Sequence, residues 1–220
     1  MPDYTAPQRE HVALLTINGQ RDFVQSGSPL AMPGTARVLP AMKRLADSFR
    51  SHGLPIVHAV RLHRCDGSNV DNFRRQAVEE GLRILMPGTS GAELVDELRP
   101  APDLRLDPTR LLDGEIHEIA PGESVLYKPR WGAFYQTGLE RHLSDLEVTT
   151  LVICGCNFST SCRATVYEAG ARDFRIVLVT DALSGADEES LSELGRIGVY
   201  LMTADSCLAW LDGRSRSSAA

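Results

Sequence analysis

Ser161 and Cys162 stand side by side at a corner where α/β chains concentrate reactive groups. The stretch Val148 to Phe174 reads VTTLVICGCNFSTSCRATVYEAGARDF. Leu151, Val152, Ile153 and Cys154 form a short apolar run, the pattern of a strand buried on both faces. Gly155 breaks the run, a small polar loop follows from Cys156 to Ser161, and a helical pattern starts at Ser159 or Ser161 and continues to Ala171. Free backbone N–H groups and the positive end of a helix dipole collect at such a junction. A thiol, Cys162, and a hydroxyl, Ser161, sit on that corner, where α/β proteins place reactive groups. A buried cysteine at an ordinary strand-to-helix turn has the same pattern, and position alone does not separate the two. The second chemical candidate is Lys128. Of 23 basic residues only Lys43 and Lys128 are lysines, so the coding bias favours arginine. A lysine kept against it points to a site that needs a compact ammonium rather than a guanidinium, with chance retention as the alternative.

The elements that must position these groups follow from periodicity. His11 to Ile17, Pro55 to Val60, Glu123 to Tyr127, Leu151 to Cys154, Arg175 to Thr180 and Val199 to Met202 read as strands. Between them, Val38 to His52 carries apolar residues at steps of three and four and closes on Gly53. Thr137 to Leu146, Asp187 to Ile197 and Ala204 to Leu211 read as further helices. Arg61 to Gly122 has a looser pattern, an excursion covering one face, with a helix within Asn69 to Leu82 and a turn of helix within Gly91 to Leu98. Alternating strands and helices imply an α/β three-layer sandwich, a mostly parallel six-stranded sheet with helices on both faces. In such sheets the working crevice lies at the C-terminal ends of the strands. Asn18, Arg61, Lys128 and Ser161/Cys162 all fall there.

Composition excludes several classes. A net charge of −6 with no basic stripe argues against nucleic acid as a partner. No apolar stretch reaches the ~18 residues of a membrane span, and the N-terminus shows no secretory pattern. Five cysteines, an odd number with spacing that suits neither a disulfide framework nor a zinc site, fit a reducing cytoplasm. The domain is expected over residues 1–212, with a Ser/Arg-rich mobile tail over 213–220.

Four segments together, LLTINGQRDF, VLYKPRWGAFYQTGLERHL, LVICGCNFSTSCRAT and VTDALSG, resemble the isochorismatase-like cysteine hydrolases, over nearly the whole chain. The resemblance implies a hydrolase of a small carbonyl compound, of an amide C–N bond, that needs no cofactor and forms a homodimer or homotetramer. It implies an Asp-Lys-Cys triad, in which the aspartate takes the thiol proton, the thiolate attacks the carbonyl and water releases the acid. It also implies an oxyanion site of backbone N–H groups beside a cis peptide, falling here at Cys156–Asn157. Lys128 matches the family lysine. The family aspartate falls on Asn18, an amide that cannot accept the thiol proton as a carboxylate does. Asp22, the second acid of that motif, supports the loop.

The family cysteine, six residues after the loop glycine, falls on Ser161, and Cys162 is one residue later. One helical residue turns a side chain by about 100°, so only one of the two faces Lys128. If the loop absorbs an extra residue, Cys162 is the nucleophile in a degenerate Asn18-Lys128-Cys162 triad, the reading placed slightly ahead. If it does not, Ser161 takes the position and Cys162 is a packed thiol. Arg61 ends a strand near the crevice, where it would bind a substrate carboxylate or pair with an acid such as Asp66. Gln20, Trp131, Phe134, Tyr135 and Phe158 are candidates for the substrate wall, against core packing, which is favoured for Phe134. His58-Ala59-Val60-Arg61-Leu62-His63 lacks the Asp-x-His of metal-dependent nicotinamidases. No metal is therefore expected, with His58 a strand residue and His63 exposed. Two other readings stay open: a non-covalent vinyl-ether hydrolase or lyase-like enzyme, and a small-molecule-binding member without turnover.

Overall fold

The computed structural model describes residues 2–32 and 34–213. The strands are β1 (Val12–Ile17), β2 (Ile56–Val60), β3 (His117–Ala120), β4 (Glu123–Tyr127), β5 (Thr150–Gly155), β6 (Arg175–Leu183) and β7 (Tyr200–Met202). They form one seven-stranded sheet in the order β3-β4-β2-β1-β5-β6-β7. All neighbours are parallel except β3, which pairs antiparallel with β4. The additional strand relative to the six read from sequence is β3. It lies at the sheet edge with only His117 fully buried, so it lacks the continuous apolar run that marks the inner strands.

The helices are α1 (Arg21–Val24), α2 (Thr35–Ser51), α3 (Asn72–Glu79), α4 (Pro108–Leu112), α5 (Leu139–Asp145), α6 (Arg163–Gly170), α7 (Glu188–Arg196) and α8 (Ala204–Leu211). Each inner strand is buried on both faces, with one apolar layer against α2 and α8 and another against α5, α6 and α7. In α2, Val38, Leu39, Met42, Leu45, Ala46 and Phe49 form the buried stripe. Each fully buried Leu or Phe stabilises by about 1.5–3 kcal/mol, so packing of this face, more than helix propensity, fixes α2. The loose region holds α3 and α4. Asp107 caps α4 by accepting from the Thr109 and Arg110 N–H groups, with Pro108 at the first helical position. From residue 214 on, the tail read from sequence lies outside the described residues. Among the described residues no helix is long and apolar enough to cross a membrane.

From β1 the chain passes to β2, then to the edge strand β3 and back to β4 beside β2, and then crosses to the other side of β1 with β5. The order therefore reverses between β1 and β5, the switch point where α/β sheets open a crevice. Register brings the strand ends level: Ile17 lies opposite Ala59 and Gly155, and Val60 opposite Tyr127. Three further bonds extend the ladder past those ends, from Asn18 N–H to Ala59 O, Lys128 N–H to Val60 O and Cys156 N–H to Ile17 O, each 2.9 Å. Gly155 permits this closeness, and Gly19 makes room for the Leu98 side chain packed over the end of β1. A Cβ on Gly155, which sits at φ +132°, would lie 2.1 Å from Ile17 O, and one on Gly19 would lie 2.3 Å from Leu98 Cδ1.

Below the crevice runs a buried polar chain. Thr16 Oγ1 bonds His58 Nδ1 at 2.7 Å, His58 Nε2 bonds Glu123 Oε1 at 2.7 Å, and Arg50 grips both Glu123 oxygens at 2.8 and 2.7 Å. Burial alone would raise the Glu123 carboxyl, but the Arg50 and His58 contacts outweigh it and hold the group at about 2. A folded-state pKa below the unfolded one contributes stability above the unfolded value and loses it as pH falls. Stability on the order of 3 kcal/mol is therefore expected to disappear between about pH 4.5 and pH 2. Urea unfolding across that range should show this slope, and Glu123→Gln should flatten it. An unchanged slope in the variant would remove Glu123 as its source.

Candidate active site

Asn18 closes β1 in the left-handed region, φ 52°, a conformation asparagine tolerates. Its Nδ2 donates to Cys156 O at 2.6 Å and to Ser161 Oγ at 3.1 Å. The carbonyl fixes the amide orientation, since a flipped amide would set two acceptors 2.6 Å apart. Asn18 Oδ1 is then buried without a hydrogen-bond partner. Lys128 follows β4 and is fully buried. Its Nζ lies 3.2 Å from Arg130 O, 3.0 Å from Trp131 O and 3.4 Å from Ser161 Oγ. Burial pushes its pKa well below the ordinary lysine value, and the Arg61 charge acts in the same direction.

Ser161 is held by the segment after β5. The Cys156–Asn157 peptide bond is cis. Residues Phe158–Cys162 then form a single wide turn of π-helix before α6, in which Cys162 N–H reaches back five residues to Asn157 O at 3.2 Å. Thr165 Oγ1 donates to Ser161 O at 2.7 Å and ties this turn to α6. The result is the register without an extra residue: Asn18, Lys128 and Ser161 converge. This corrects the reading that put Cys162 ahead. Cys162 is fully buried in the apolar layer with Phe134, Phe158 and Val166, where burial pushes its thiol well above the ordinary value, the opposite of an activated thiolate. Cys156 gives its backbone to the cis junction while its side chain packs in the opposite layer.

A narrow cavity of about 10 Å³, room for little more than one water molecule, opens beside Ser161, bounded among others by Asn18, Arg61, Arg74, Trp131 and Asn157. Arg61 is buried and pairs with Asp71 at 2.7 Å, not with Asp66. Asp71 also pairs with Arg74 at 3.3 Å. His63, read from sequence as exposed, is 1% exposed beside Arg61, whose guanidinium donates to its Nε2 at 3.4 Å. Burial and the neighbouring Arg61 push His63 down to about 4.

Several wall candidates are elsewhere. Gln20 Nε2 donates to Arg61 O and Ala92 O, and its Oε1 accepts from Arg61 N–H, so its whole amide is engaged in bracing two backbone segments. Phe134 packs on Phe174 with Arg172 over its ring, and Phe158 is buried in the same layer. Tyr135 is 46% exposed on an outer groove shared with Phe73. Trp131 divides that groove from the cavity, and its ring stacks on Phe73 at 5.0 Å. Asp22 accepts from Leu85 N–H at 2.6 Å and supports the loop. The residues that sequence reasoning missed here are Arg74 and Asp71. Their only signal was their place at the start of a charged helix in the loose region. Among the described residues no three His, Cys, Asp or Glu side chains converge as a metal-binding group.

The mostly parallel sheet thus carries a cis peptide and a buried lysine at the C-terminal ends of its strands. The Isochorismatase domain family model matches residues 12–111 and 105–206, and the chain belongs to that family. A probable inactive nicotinamidase of Arabidopsis thaliana is 30% identical over 204 residues, covering 90% of this chain and 95% of that protein. The N-carbamoylsarcosine amidase of an Arthrobacter species is 25% identical, covering 91% and 71%. The crystal structure of an isochorismatase family protein from Desulfovibrio vulgaris superposes with a TM-score of 0.78 at 30% identity, over 92% of this chain and 98% of that one.

Proposed function

We propose that the protein hydrolyses an amide C–N bond of a small carbonyl compound, with Ser161 as nucleophile, Lys128 as its base and Asn18 as the donor that orients the hydroxyl. The observation that carries this reading is the hydrogen-bond arrangement at Ser161 Oγ. As a neutral amine, Lys128 places its two N–H groups on Arg130 O and Trp131 O. Its lone pair is left for the Ser161 hydrogen, while Asn18 Nδ2 donates to the same oxygen. Every hydrogen in the cluster then has an acceptor. An ammonium would turn its third N–H onto the serine oxygen, as a second donor beside Asn18 Nδ2, and leave the hydroxyl hydrogen without an acceptor in the cluster. Burial favours the neutral form.

In the reaction, the Oγ–carbon bond forms as the hydroxyl proton passes to Lys128 Nζ. The C–N bond breaks and the leaving nitrogen takes that proton. Water then adds to the acyl-serine and releases the acid, a serine-lysine arrangement of nucleophilic catalysis. The amidases among the relatives support the choice of bond. Ammonia release from a panel of small primary amides and carbamoyl compounds tests it: turnover above background is the expected result.

A second reading, binding without turnover, is favoured by Asn18 in place of a carboxylate and by the word inactive in the name of the Arabidopsis relative. Calorimetric binding of panel members with no ammonia released would select it.

A further inference from the structure

The segment that holds Lys128 is itself held by α6. Lys128 Nζ donates to Arg130 O and Trp131 O, so those two carbonyls set where the amine stands. The next residues are bound one after another to the helix that starts beside Ser161. Ala133 N–H donates to Thr165 Oγ1 at 3.1 Å, and Phe134 N–H donates to Glu168 Oε2 at 2.8 Å. Gly132 lies between the carbonyls and these N–H groups. A Cβ there would lie 2.2 Å from the Glu168 carboxylate, so only glycine lets the backbone come this near. Thr165 and Glu168 are three residues apart on α6 and share one face of it. The fully buried Thr165 hydroxyl makes a second bond, donating to Ser161 O at 2.7 Å. One hydroxyl thus ties the backbone of Ser161 to the segment that cages Lys128.

From this we infer that Thr165 and Glu168 are positioning residues: they fix the 130–134 segment against α6 and thereby set the 3.4 Å approach of Lys128 Nζ to Ser161 Oγ. They act through backbone groups, not on the reacting atoms. Glu168 acts in a second way, through its charge. Arg61 and Arg74 disfavour the Lys128 ammonium, as burial does, whereas the Glu168 carboxylate favours it. The Cys162 thiol, which also acts on the lysine, is kept neutral by burial. Contact and charge are separable, because glutamine keeps an oxygen for the Phe134 N–H and carries no charge. The inference rests on the reading of Ser161 and Lys128 as a working pair, and its first readout is independent of turnover.

The test compares Glu168→Ala with Glu168→Gln. Glu168 is half-buried on a helix, and alanine and glutamine are both good helix formers, so both variants are expected to fold. The chain has only two lysines, Lys43 and Lys128. Carbon-13 lysine labelling in a Lys43→Arg background therefore leaves one side-chain signal, whose Cε shift against pH follows Lys128. Glu168→Gln removes the carboxylate alone and is expected to lower the midpoint. Glu168→Ala also frees the segment and lets water reach the amine, so its midpoint is expected at least about half a pH unit above that of Glu168→Gln. A smaller difference, coincident curves or a lower midpoint in Glu168→Ala would overturn the inference, because a merely structural side chain moves the two alike. The second readout is ammonia release. Glu168→Ala and Thr165→Val are each expected to lower kcat at least about tenfold, with Glu168→Gln and Thr165→Ser each recovering at least about fivefold of that loss. Equal rates within both pairs would also overturn it. A parent protein that releases no ammonia would count against hydrolysis alone, and the Lys128 titration would then decide the positioning.

Discussion

Ser161→Ala is expected to lower ammonia release by at least about a thousandfold, and Cys162→Ala to leave kcat within about threefold. The two side chains are adjacent in sequence, yet they differ in every physical respect that matters for attack. Ser161 Oγ is reached by Asn18 Nδ2 at 3.1 Å and Lys128 Nζ at 3.4 Å. Cys162 is enclosed by apolar side chains, and its thiol is pushed well up by burial. Removing the hydroxyl deletes the atom that forms the acyl bond. Removing the sulfur leaves a small void in the layer between α6 and the sheet, a loss of about 1 kcal/mol by comparison with other one-atom core deletions. The pair therefore separates in opposite directions: activity lost with stability kept for Ser161→Ala, stability reduced with activity kept for Cys162→Ala. Steady-state rates and urea midpoints on both variants check this. A large rate loss confined to Cys162→Ala would return the nucleophile to the thiol.

Lys128→Met is expected to abolish turnover to a similar degree while the folded state survives. General-base catalysis contributes ~10²–10⁴-fold, and here the base also holds the serine hydrogen. Methionine fills nearly the same volume, so the packing around this fully buried position is largely kept. Two opposing terms act on stability. Arg130 O and Trp131 O lose their donor, at about 1–3 kcal/mol for each buried acceptor left unpaired. Against this, the chain no longer buries an amine, whose desolvation costs a similar amount. The net change is expected within about 2 kcal/mol. A folded Lys128→Met protein with more than a third of the parental rate would exclude Lys128 as the base.

How much of this was legible in the sequence depended on how local the cause was. Lys128 stood out because an arginine-biased chain kept a lysine there, directly after a short strand. The crevice at the C-terminal strand ends followed from the alternation of strands and helices, whereas the reversal of strand order between β1 and β5 belongs to the assembled sheet. The choice between Ser161 and Cys162 did not follow from that alternation either, because it turns on the path of five residues. A regular helical turn and the π-turn at Phe158–Cys162 are compatible with the same pattern of small and apolar residues.

Gln20 and His63 differ from their sequence reading for a related reason, and Arg61 pairs with an acid as expected but with Asp71 rather than Asp66. Their partners lie on other elements: Ala92 and the Arg61 backbone for Gln20, Asp71 for Arg61, and Arg61 itself for the ring of His63. A polar residue that reads as free in sequence is often already committed in the fold, and only the assembled loops show which. The reverse holds for Asn18. Its amide reads as a lesion in the family triad, and in the folded chain it still reaches both the Cys156 carbonyl and the Ser161 hydroxyl.

The most direct measurement of the central claim, that Ser161 is an activated nucleophile, is intact-mass analysis and peptide mapping after treatment with methanesulfonyl fluoride, a small reagent that sulfonylates activated serines. The account predicts a single sulfonyl adduct on Ser161 in the parent protein and none in folded Lys128→Met. An unmodified Ser161, or an adduct that forms equally without Lys128, would contradict it.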